Sequence, residues 1–223
     1  HPYYPELIEA QGFIKEVDFV SCYLPADKFQ MPERVAKIAE RVMQRGNLEI
    51  KTFKSKKELL QWADRIGMAY NNAFVNNWEY YPLTQREIDF VVENIMTIAD
   101  YRLIKIIVHG DDVVGFLFAF HDVSAALQRA RGKLFPFGLL DILLEIRRTN
   151  TVSVNGMGIL PQHQGHGGNA LLYYAMGKTL LEFSQFSHVE MTQVAETTEQ
   201  MRADLKNLNG VEYKNNRVYK KEI

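Results

Sequence analysis

The sequence predicts a mixed α/β fold of the α+β class, in which helices and strands are interspersed along a chain of 223 residues. Three observations predict this class. Alternating apolar residues mark several strands, two of which form a hairpin and are therefore antiparallel. Apolar residues at three- and four-residue spacing mark helices between the strands. Late in the chain, a glycine-rich turn joins a strand to a helix.

Composition and charge exclude several classes of protein. Hydrophobic residues make up 47% of the chain and charged residues 24%, which is typical of a globular domain and not of a disordered chain. The 26 basic and 27 acidic residues give a net charge of −1, so we expect no nucleic-acid partner. No apolar run approaches the roughly 20 residues that a membrane-spanning helix needs, and we expect no span.

The cysteine content and the first residue bear on the compartment. The single cysteine, Cys22, cannot form a disulfide within the chain, which is typical of a reducing environment. The sequence begins at His1, with neither an initiator methionine nor a basic and then apolar leader. We therefore expect a trimmed or partial chain located in the cytoplasm.

The first half of the chain predicts four helices and two strands. Thr84 and Glu87 form a capping-box pattern at the start of the fourth helix. Gly12 and Gly46 each follow a helix, where glycine commonly ends it. In order, the predicted elements are a helix at 5–11, a strand at 13–23, a helix at 31–44, a strand at 48–53, a long helix at 56–78 and a helix from 84 to 98.

The second half predicts more strands. A hairpin turn, Gly110-Asp111-Asp112, joins the first two of them. The segment 123–148 that follows is longer than a hairpin loop. The predicted elements are strands at 103–109, 113–120 and 151–160, a helix at 168–183, a strand at 188–194, a helix at 197–208 and a closing hairpin at 211–222 with Asn215-Asn216 at its middle.

The glycine-rich turn at 158–172 is the most informative feature. Glycines at the opening of a helix expose backbone N–H groups that no Cβ covers, and together with the positive end of the helix they form a site for a phosphate. The dipole contributes only about 0.3–1 kcal/mol per interaction. Two alternatives remain open at this point. The pattern Gly165-x-Gly167-x-x-Ala170 also fits a dinucleotide fingerprint, and an ordinary strand-to-helix connection has a similar composition.

The same segment resembles the acyl-CoA-binding motif of the GNAT superfamily of CoA-dependent N-acyltransferases. That motif reads Q/R-x-x-G-x-G/A after a strand that ends in Leu-Pro. In one register Gln164 takes the first place, Gly167 the second and Asn169 the last, where the motif has Gly or Ala. In a register shifted by two residues, Gln162, Gly165 and Gly167 satisfy every place.

The resemblance implies a fold and a domain organisation. It implies a central twisted, mostly antiparallel sheet flanked by helices, with two strands splayed apart at the CoA site. It extends from about Leu48 to Ile223 and is similar to a subgroup of long proteins in which a first GNAT-like unit precedes this one. We accordingly expect residues 1–30 to be the tail of such a unit and residues 31–223 to be the N-acyltransferase domain. A homodimer, or a contact with the preceding unit, is the expected assembly.

The resemblance also implies a reaction, the direct transfer of an acyl group from a CoA thioester to the amine of a small molecule or peptide. Acetyl-CoA is the expected co-substrate. No metal is expected, since His163 and His166 lack a third ligand in the same turn. The predicted cofactor-binding residues are Gly158, Ile159, Leu160, Gln164, Gly165, His166, Gly167, Gly168, Asn169 and Ala170.

The proton-transfer groups are less clear from the sequence. Many superfamily members carry a general-acid tyrosine where this chain has Leu205. The remaining candidates are His121, Glu196 and Tyr213. Each has a structural alternative: a surface histidine, a charge that favours a helix N-terminus, or a packed hairpin aromatic. Because of Leu205, a non-catalytic module that senses CoA or stabilises a neighbour is the rival hypothesis, and a nicotinamide-dependent oxidoreductase is a third.

The apolar block 134–146 has three interpretations. It is core packing, a lid that lines a pocket for a hydrophobic acyl chain or for the acceptor, or a surface for a missing partner domain. Its insertion between two strands favours the second or third, since exposed apolar patches of this size are unusual in monomers. The hypothesis at this stage is that Phe135 and Phe137 border the acceptor site.

Overall fold

The computed structural model describes residues 1, 3–26 and 30–222. Helices and strands are interspersed along these residues and the strands pair mostly antiparallel, which confirms the predicted fold class. Residues 25–190 form one compact unit, and residues 1–24 with 191–223 form another. The expected division into residues 1–30 and 31–223 stays a prediction, and residues 27–29 beside its boundary lie outside the described residues.

The described residues form nine α-helices and seven strands. None of these helices is long and apolar enough to cross a bilayer. In chain order the elements are α1 (Tyr3–Glu9), β1 (Ile14–Pro25), α2 (Glu33–Arg45), β2 (Glu49–Lys51), α3 (Lys56–Leu60), α4 (Ala63–Phe74), α5 (Gln85–Ile98), β3 (Ile104–His109), β4 (Asp112–His121), α6 (Ser124–Ala130), α7 (Gly138–Arg148), β5 (Thr151–Ile159), α8 (Gly168–Phe183), β6 (His188–Ala195), α9 (Glu199–Asn207) and β7 (Val211–Lys220).

The unit of residues 25–190 is built on four strands in the order β2, β3, β4, β5, each antiparallel to its neighbour. Ile106, Phe116 and Gly158 lie in one row across β3, β4 and β5. Helix α4 packs over this row, with the Tyr70 ring stacked 5.6 Å from that of Phe116. A Cβ on Gly158 would lie 2.9 Å from the Ala73 Cβ, so glycine permits α4 to approach the strand.

The second unit contains β1, paired along its length with β7 in antiparallel register. Asp18 lies opposite Arg217 and accepts two hydrogen bonds from its guanidinium, at 2.8 and 3.0 Å. Asn215 donates a third bond to the same carboxylate, at 3.1 Å. These bonds, with that of Arg217 the largest cause, hold the pKa of Asp18 well below its usual range. The ion pair therefore joins directly opposite positions of the two strands, with a buried carboxylate and an exposed guanidinium.

Two predicted helix boundaries are confirmed in detail. The Thr84 hydroxyl accepts from the Glu87 N–H, and the Glu87 carboxylate accepts from the Thr84 N–H at 2.8 Å, so the capping box is complete. Helix α2 ends at Gly46, whose φ of 68° is in the left-handed region. Helix α8 has the predicted bounds of 168–183.

The predicted long helix at 56–78 is wrong. The structure has two helices, α3 and α4, interrupted at Gln61 and Trp62. Ser55 caps the first, because its side chain accepts from the Glu58 N–H. The apolar spacing continues across the break because both helices pack on the same core, through Leu59 and Ala69. The apolar spacing therefore indicates that both helices bury a side in the same core, and it does not show that one helix ends and another begins.

The predicted closing hairpin at 211–222 is also wrong. The segment is one strand, β7. Asn215 and Asn216 lie opposite Val20 and Phe19 of β1, in the middle of the ladder. Asparagines favour turns when their side chains bond to local backbone, but the Asn215 side chain bonds to Asp18 instead. Because its side chain bonds to Asp18, Asn215 does not form the local hydrogen bond that would favour a turn.

Lys105 is a buried cation inside the unit of residues 25–190. Its side chain is 7% exposed and its ammonium donates to the Thr179 hydroxyl at 2.7 Å. Burial lowers the pKa of Lys105 from its ordinary 10.5 to about 8. Near neutral pH the folded chain therefore carries a charge whose desolvation opposes folding.

We predict that Lys105→Met changes how stability depends on pH. Between about pH 8 and pH 10 the unfolded chain keeps the Lys105 proton and the native chain has released it, so the free energy of unfolding of the wild type rises with pH. The total rise from this group is at most about 3 kcal/mol. Urea unfolding across this pH range measures it, and the Met variant should lose the rise.

Lys57→Met is the matched control, because Lys57 is an exposed lysine. It should keep the slope of the wild type. Equal slopes for the wild type and Lys105→Met would show that Lys105 keeps its proton in the native state.

Candidate functional site

The glycine turn is held against the end of β5 by three hydrogen bonds. Leu160 donates its N–H to the Val114 carbonyl at 2.9 Å, and His163 donates its N–H to the Leu160 carbonyl at 2.8 Å. The Gln164 side chain reaches back and donates to the Ile159 carbonyl at 3.1 Å. The turn is therefore a defined connection between the strand and α8.

Gly165 and Gly167 both adopt left-handed backbone conformations, with φ of 78° and 86°. A Cβ on Gly165 would have no heavy atom of the described residues within 4 Å, apart from its chain neighbours. Gly167 is the N-cap of α8 and offers no side chain to the amides of the first turn, which lack intrahelical partners. The turn is thus open at Gly165 and lies at the positive end of a 16-residue helix.

Gly167 and Gly168 serve packing. A Cβ on Gly167 would lie 2.7 Å from Cγ2 of Val42 and 3.0 Å from Cγ2 of Ile38, both on α2. A Cβ on Gly168 would lie 3.0 Å from Cδ1 of Ile159. These two glycines therefore let α2 and β5 approach the start of α8, while Gly165 remains the open position.

Three basic side chains of α2 flank this turn. Arg34, Lys37 and Arg41 are exposed and, with Ile38 and the acidic Glu33 of the same helix, line a cleft of about 360 Å³. Ile38 links the cleft to the turn through its approach to Gly167. Lys37 also pairs with Glu33 at 2.5 Å. Sequence analysis missed these cations, although their i, i+3, i+7 spacing places them on one face of a helix.

The structure restricts the part that Gly158, Ile159 and Leu160 can play. All three continue the pairing of β5 with β4, Gly158 opposite Phe116 and Ile159 opposite Gly115. The Leu160 N–H is committed to the Val114 carbonyl, so it does not serve as a pantetheine donor. The Ile159 carbonyl already accepts from Gln164. The Ile159 N–H and the backbone of Gly158 stay predicted contacts.

The other predicted residues of the turn differ in exposure. His166 is exposed, Asn169 half-buried and Ala170 buried. The His163 ring lies 5.4 Å from that of His109, between centroids, and burial lowers the pKa of His163. Among the described residues no group of three or more His, Cys, Asp or Glu side chains could hold a metal ion.

His121 is buried, so the alternative of a surface histidine is wrong. Only 6% of the residue is exposed, and its ring lies against Phe183 and Phe186 with centroids 6.0 and 5.3 Å away. Its Nδ1 atom has no hydrogen-bond partner among the described residues. Burial lowers the pKa of His121, which keeps the imidazole neutral near pH 7. The side chain is thus in the basic form that proton abstraction needs.

Glu196 and Tyr213 belong to the other unit, with residues 191–223. Glu196 accepts from the Lys15 ammonium at 2.7 Å and from the Asp18 N–H at 3.1 Å. The Lys15 bond is the main reason that the pKa of Glu196 lies below its usual range, which makes it a weaker base. Tyr213 is about half exposed on β7, and the Lys214 ammonium lies 5.4 Å from its ring centroid. The catalytic role of each residue stays a prediction.

Known structures share this architecture. A GCN5-related N-acetyltransferase from Sphaerobacter thermophilus superposes with a TM-score of 0.62 at 13% identity, over 98% of this chain and 56% of that one. A tandem GNAT protein from the clavulanic acid biosynthesis pathway gives 0.58 at 12% identity, over 98% and 57%. The chain has the GNAT fold. The predicted resemblance is thereby confirmed for the fold, which at such identities says nothing of substrate.

Two curated relatives match nearly the whole chain. A bacterial ceramide synthase from Caulobacter vibrioides is 23% identical over 221 residues, which cover 97% of this chain and 57% of the relative. Protein YghO of Escherichia coli is 22% identical over 227 residues, covering 100% and 57%. The GNAT-fold chain therefore spans little more than half the length of these relatives. No protein-family model matches it.

We predict different costs for alanine at the two left-handed glycines. Both variants strain the backbone by about 1–2 kcal/mol, but only Gly167→Ala also drives a Cβ into Val42 and Ile38. Gly167→Ala should therefore reduce the free energy of unfolding by about 1–3 kcal/mol more than Gly165→Ala. Chemical denaturation of the two variants measures the difference. Equal losses would mean that α2 does not pack closely on the turn.

Proposed function

We propose that this chain is an acyl-CoA-dependent N-acyltransferase domain whose glycine turn holds the diphosphate of CoA. The observation that carries the proposal is the open turn at Gly165, at the positive end of α8 and beside the cations of α2. Helix N-termini bind phosphate through backbone N–H groups, and arginine pairs with phosphate in bidentate geometry. The GNAT fold supports the choice of CoA over other phosphate-bearing ligands.

The proposed reaction is a direct transfer. The neutral amine nitrogen attacks the thioester carbonyl carbon, the new C–N bond forms, and the C–S bond breaks to release CoA as a thiolate. A thiol has a pKa of about 8.5, so it leaves without a strong acid. The Ile159 N–H is the proposed donor to the oxyanion, a contact worth about 3 kcal/mol in comparable sites. The proton lost by the nitrogen goes to a base.

Among the three candidates, we propose His121 or a water molecule that it contacts as that base. The neutral imidazole has an unpartnered Nδ1 atom that can accept a proton. Glu196 is the weaker candidate, because its ion pair with Lys15 stabilises the deprotonated form. Tyr213 remains a candidate acid.

We propose an amphipathic amine as the acceptor. The Caulobacter relative is named as a ceramide synthase, and a ceramide is an amide made on the nitrogen of a long-chain amino alcohol. If this chain also acts on a long-chain amino alcohol, the bond formed is again a C–N bond between the amine nitrogen and the acyl carbon. The acyl donor is an acyl-CoA, with acetyl-CoA and long-chain acyl-CoA as the two cases to separate.

A second candidate function is a non-catalytic CoA-binding module. Leu205, at the position where many GNAT enzymes carry a tyrosine, is 2% exposed and fully part of the core. No hydroxyl acid can be supplied from that position. Such a module would bind CoA at the same site but would not transfer an acyl group.

We predict that Gly165→Trp weakens CoA binding by at least about tenfold, because the indole occupies the open side of the turn and blocks the diphosphate. Isothermal titration calorimetry with CoA measures this. Gly132→Trp is the matched control, since Gly132 also has a left-handed φ, 73°, and no heavy atom of the described residues, chain neighbours apart, within 4 Å of a built Cβ. It carries the same backbone strain and should bind CoA like the wild type. Equal affinities for all three proteins would contradict the proposed site.

We predict amine-dependent release of CoA thiol. The test offers acetyl-CoA and palmitoyl-CoA with sphinganine or ethanolamine, follows free thiol, and identifies the amide by mass. Sphinganine should be favoured by about tenfold or more if the acceptor is amphipathic as proposed, because burial of its added apolar chain on binding is favourable. CoA binding without thiol release, for every amine, would support the non-catalytic module and reject the enzyme.

A further inference from the structure

The segment between β4 and β5 carries an exposed apolar surface. We call it the α6–α7 patch, formed by Leu134, Phe135, Phe137, Leu140, Leu143 and Leu144. Phe135 is 80% exposed and Phe137 75%. Single exposed apolar residues are normal, but a group of this kind in one segment marks an interaction surface. The interpretation of the whole block as core packing is therefore wrong, although Gly138 and Ile142 within it are buried.

The patch is presented by an ordered scaffold. In α7 the buried residues Gly138 and Ile142 lie on one side, and Leu140, Leu143 and Leu144 follow i, i+3, i+4 spacing on the opposite side. The loop before α7 is tied to it, since Leu139 donates its N–H to the Leu134 carbonyl at 2.8 Å.

Gly138 makes this arrangement possible. A Cβ on Gly138 would lie 2.1 Å from the Lys133 carbonyl oxygen. The loop therefore passes directly over the start of α7 and holds Phe135 and Phe137 outward, where both are exposed.

The charges around the patch are strongly one-sided. Residues 123–150 contain five basic and two acidic residues, in a chain of net charge −1. Both acids are already paired: Arg129 donates to Asp141 at 2.9 Å and also to Glu145. The basic side chains beyond this pairing are exposed, and they are Arg131, Lys133, Arg147 and Arg148.

We infer that the α6–α7 patch docks on the surface of an anionic lipid bilayer. Interfacial segments combine outward Phe and Leu side chains with Lys and Arg at the boundary, and their binding grows with buried apolar area and with anionic lipid. Each basic residue near such a surface adds electrostatic attraction to the anionic lipid. The net charge of +3 over residues 123–150, five basic against two acidic residues, favours an anionic bilayer over an uncharged apolar partner.

Docking would also bring the domain to the layer in which an amphipathic amine resides. This link to the acceptor rests on the proposed function, but vesicle binding itself does not. The two are therefore tested separately.

The experiment is sedimentation of the chain with vesicles of phosphatidylcholine alone or mixed with phosphatidylglycerol. The wild type should bind the mixed vesicles, bind the neutral ones weakly, and lose binding as salt is raised. The double variant Phe135→Ser/Phe137→Ser should partition about tenfold less or weaker still. Arg131→Gln/Lys133→Gln should also lose about tenfold, on anionic vesicles only.

Matched controls change the same residue types elsewhere. Tyr81→Ser/Phe90→Ser removes two aromatic side chains that are 83% and 66% exposed outside the patch. Arg86→Gln/Lys57→Gln removes two exposed cations of α5 and α3. Both should bind vesicles like the wild type. Circular dichroism and urea unfolding verify that every variant is folded.

Three outcomes would overturn the inference. One is that the wild type binds neither vesicle, and another is that Phe135→Ser/Phe137→Ser binds as well as the wild type. The third is a dimer, seen by size-exclusion chromatography, that the phenylalanine variant abolishes while no vesicle binding occurs; the patch would then be an interface between copies. Thiol release with ethanolamine in the absence of vesicles reports separately on the proposed function.

Discussion

The close approach of α2 to the glycine turn is the constraint on which the candidate site depends. The backbone at Gly167 passes so near Val42 and Ile38 that a single added carbon would collide with both. That contact holds the first turn of α8 beside α2 and leaves Gly165 open. It also brings the cations of α2 next to the positive end of α8. The packing of α2 on the turn therefore determines where the positive end of α8 lies, and the basic side chains of α2 add further positive charge.

The proposed CoA site is supported by several neighbouring structural features, whereas the proposed proton-transfer residues are not. The proposed CoA site gathers open backbone, a helix terminus and cations within the unit of residues 25–190. The proton-transfer candidates do not form a comparable group. His121 is neutral because burial opposes its charge, whereas Glu196 is charged because Lys15 favours its charge. Desolvation and ion pairing thus lower the pKa of both residues, and they leave the imidazole neutral and the carboxylate charged.

The α6–α7 patch gives the proposed acceptor a physical route to the domain. An amphipathic amine is concentrated in a bilayer, and the proposed docking would place the domain at that layer. Arg129 pairs with both acids of the segment, and the five basic and two acidic residues of 123–150 leave a net charge of +3 around the patch. Apolar area and charge then act together at one surface.

The sequence by itself determined the fold class, the capping box at Thr84, the bounds of α8 and the position of the glycine turn, because caps, periodicity and glycine act over a few neighbouring residues. Only the tertiary structure decided that the segment around Asn215 is a strand, since its partner Asp18 lies almost two hundred residues away. It also decided that Gly165 is open while Gly167 is packed against α2, and that His121 is buried. These properties depend on contacts between residues that are far apart in the sequence, and the local sequence patterns do not predict such contacts.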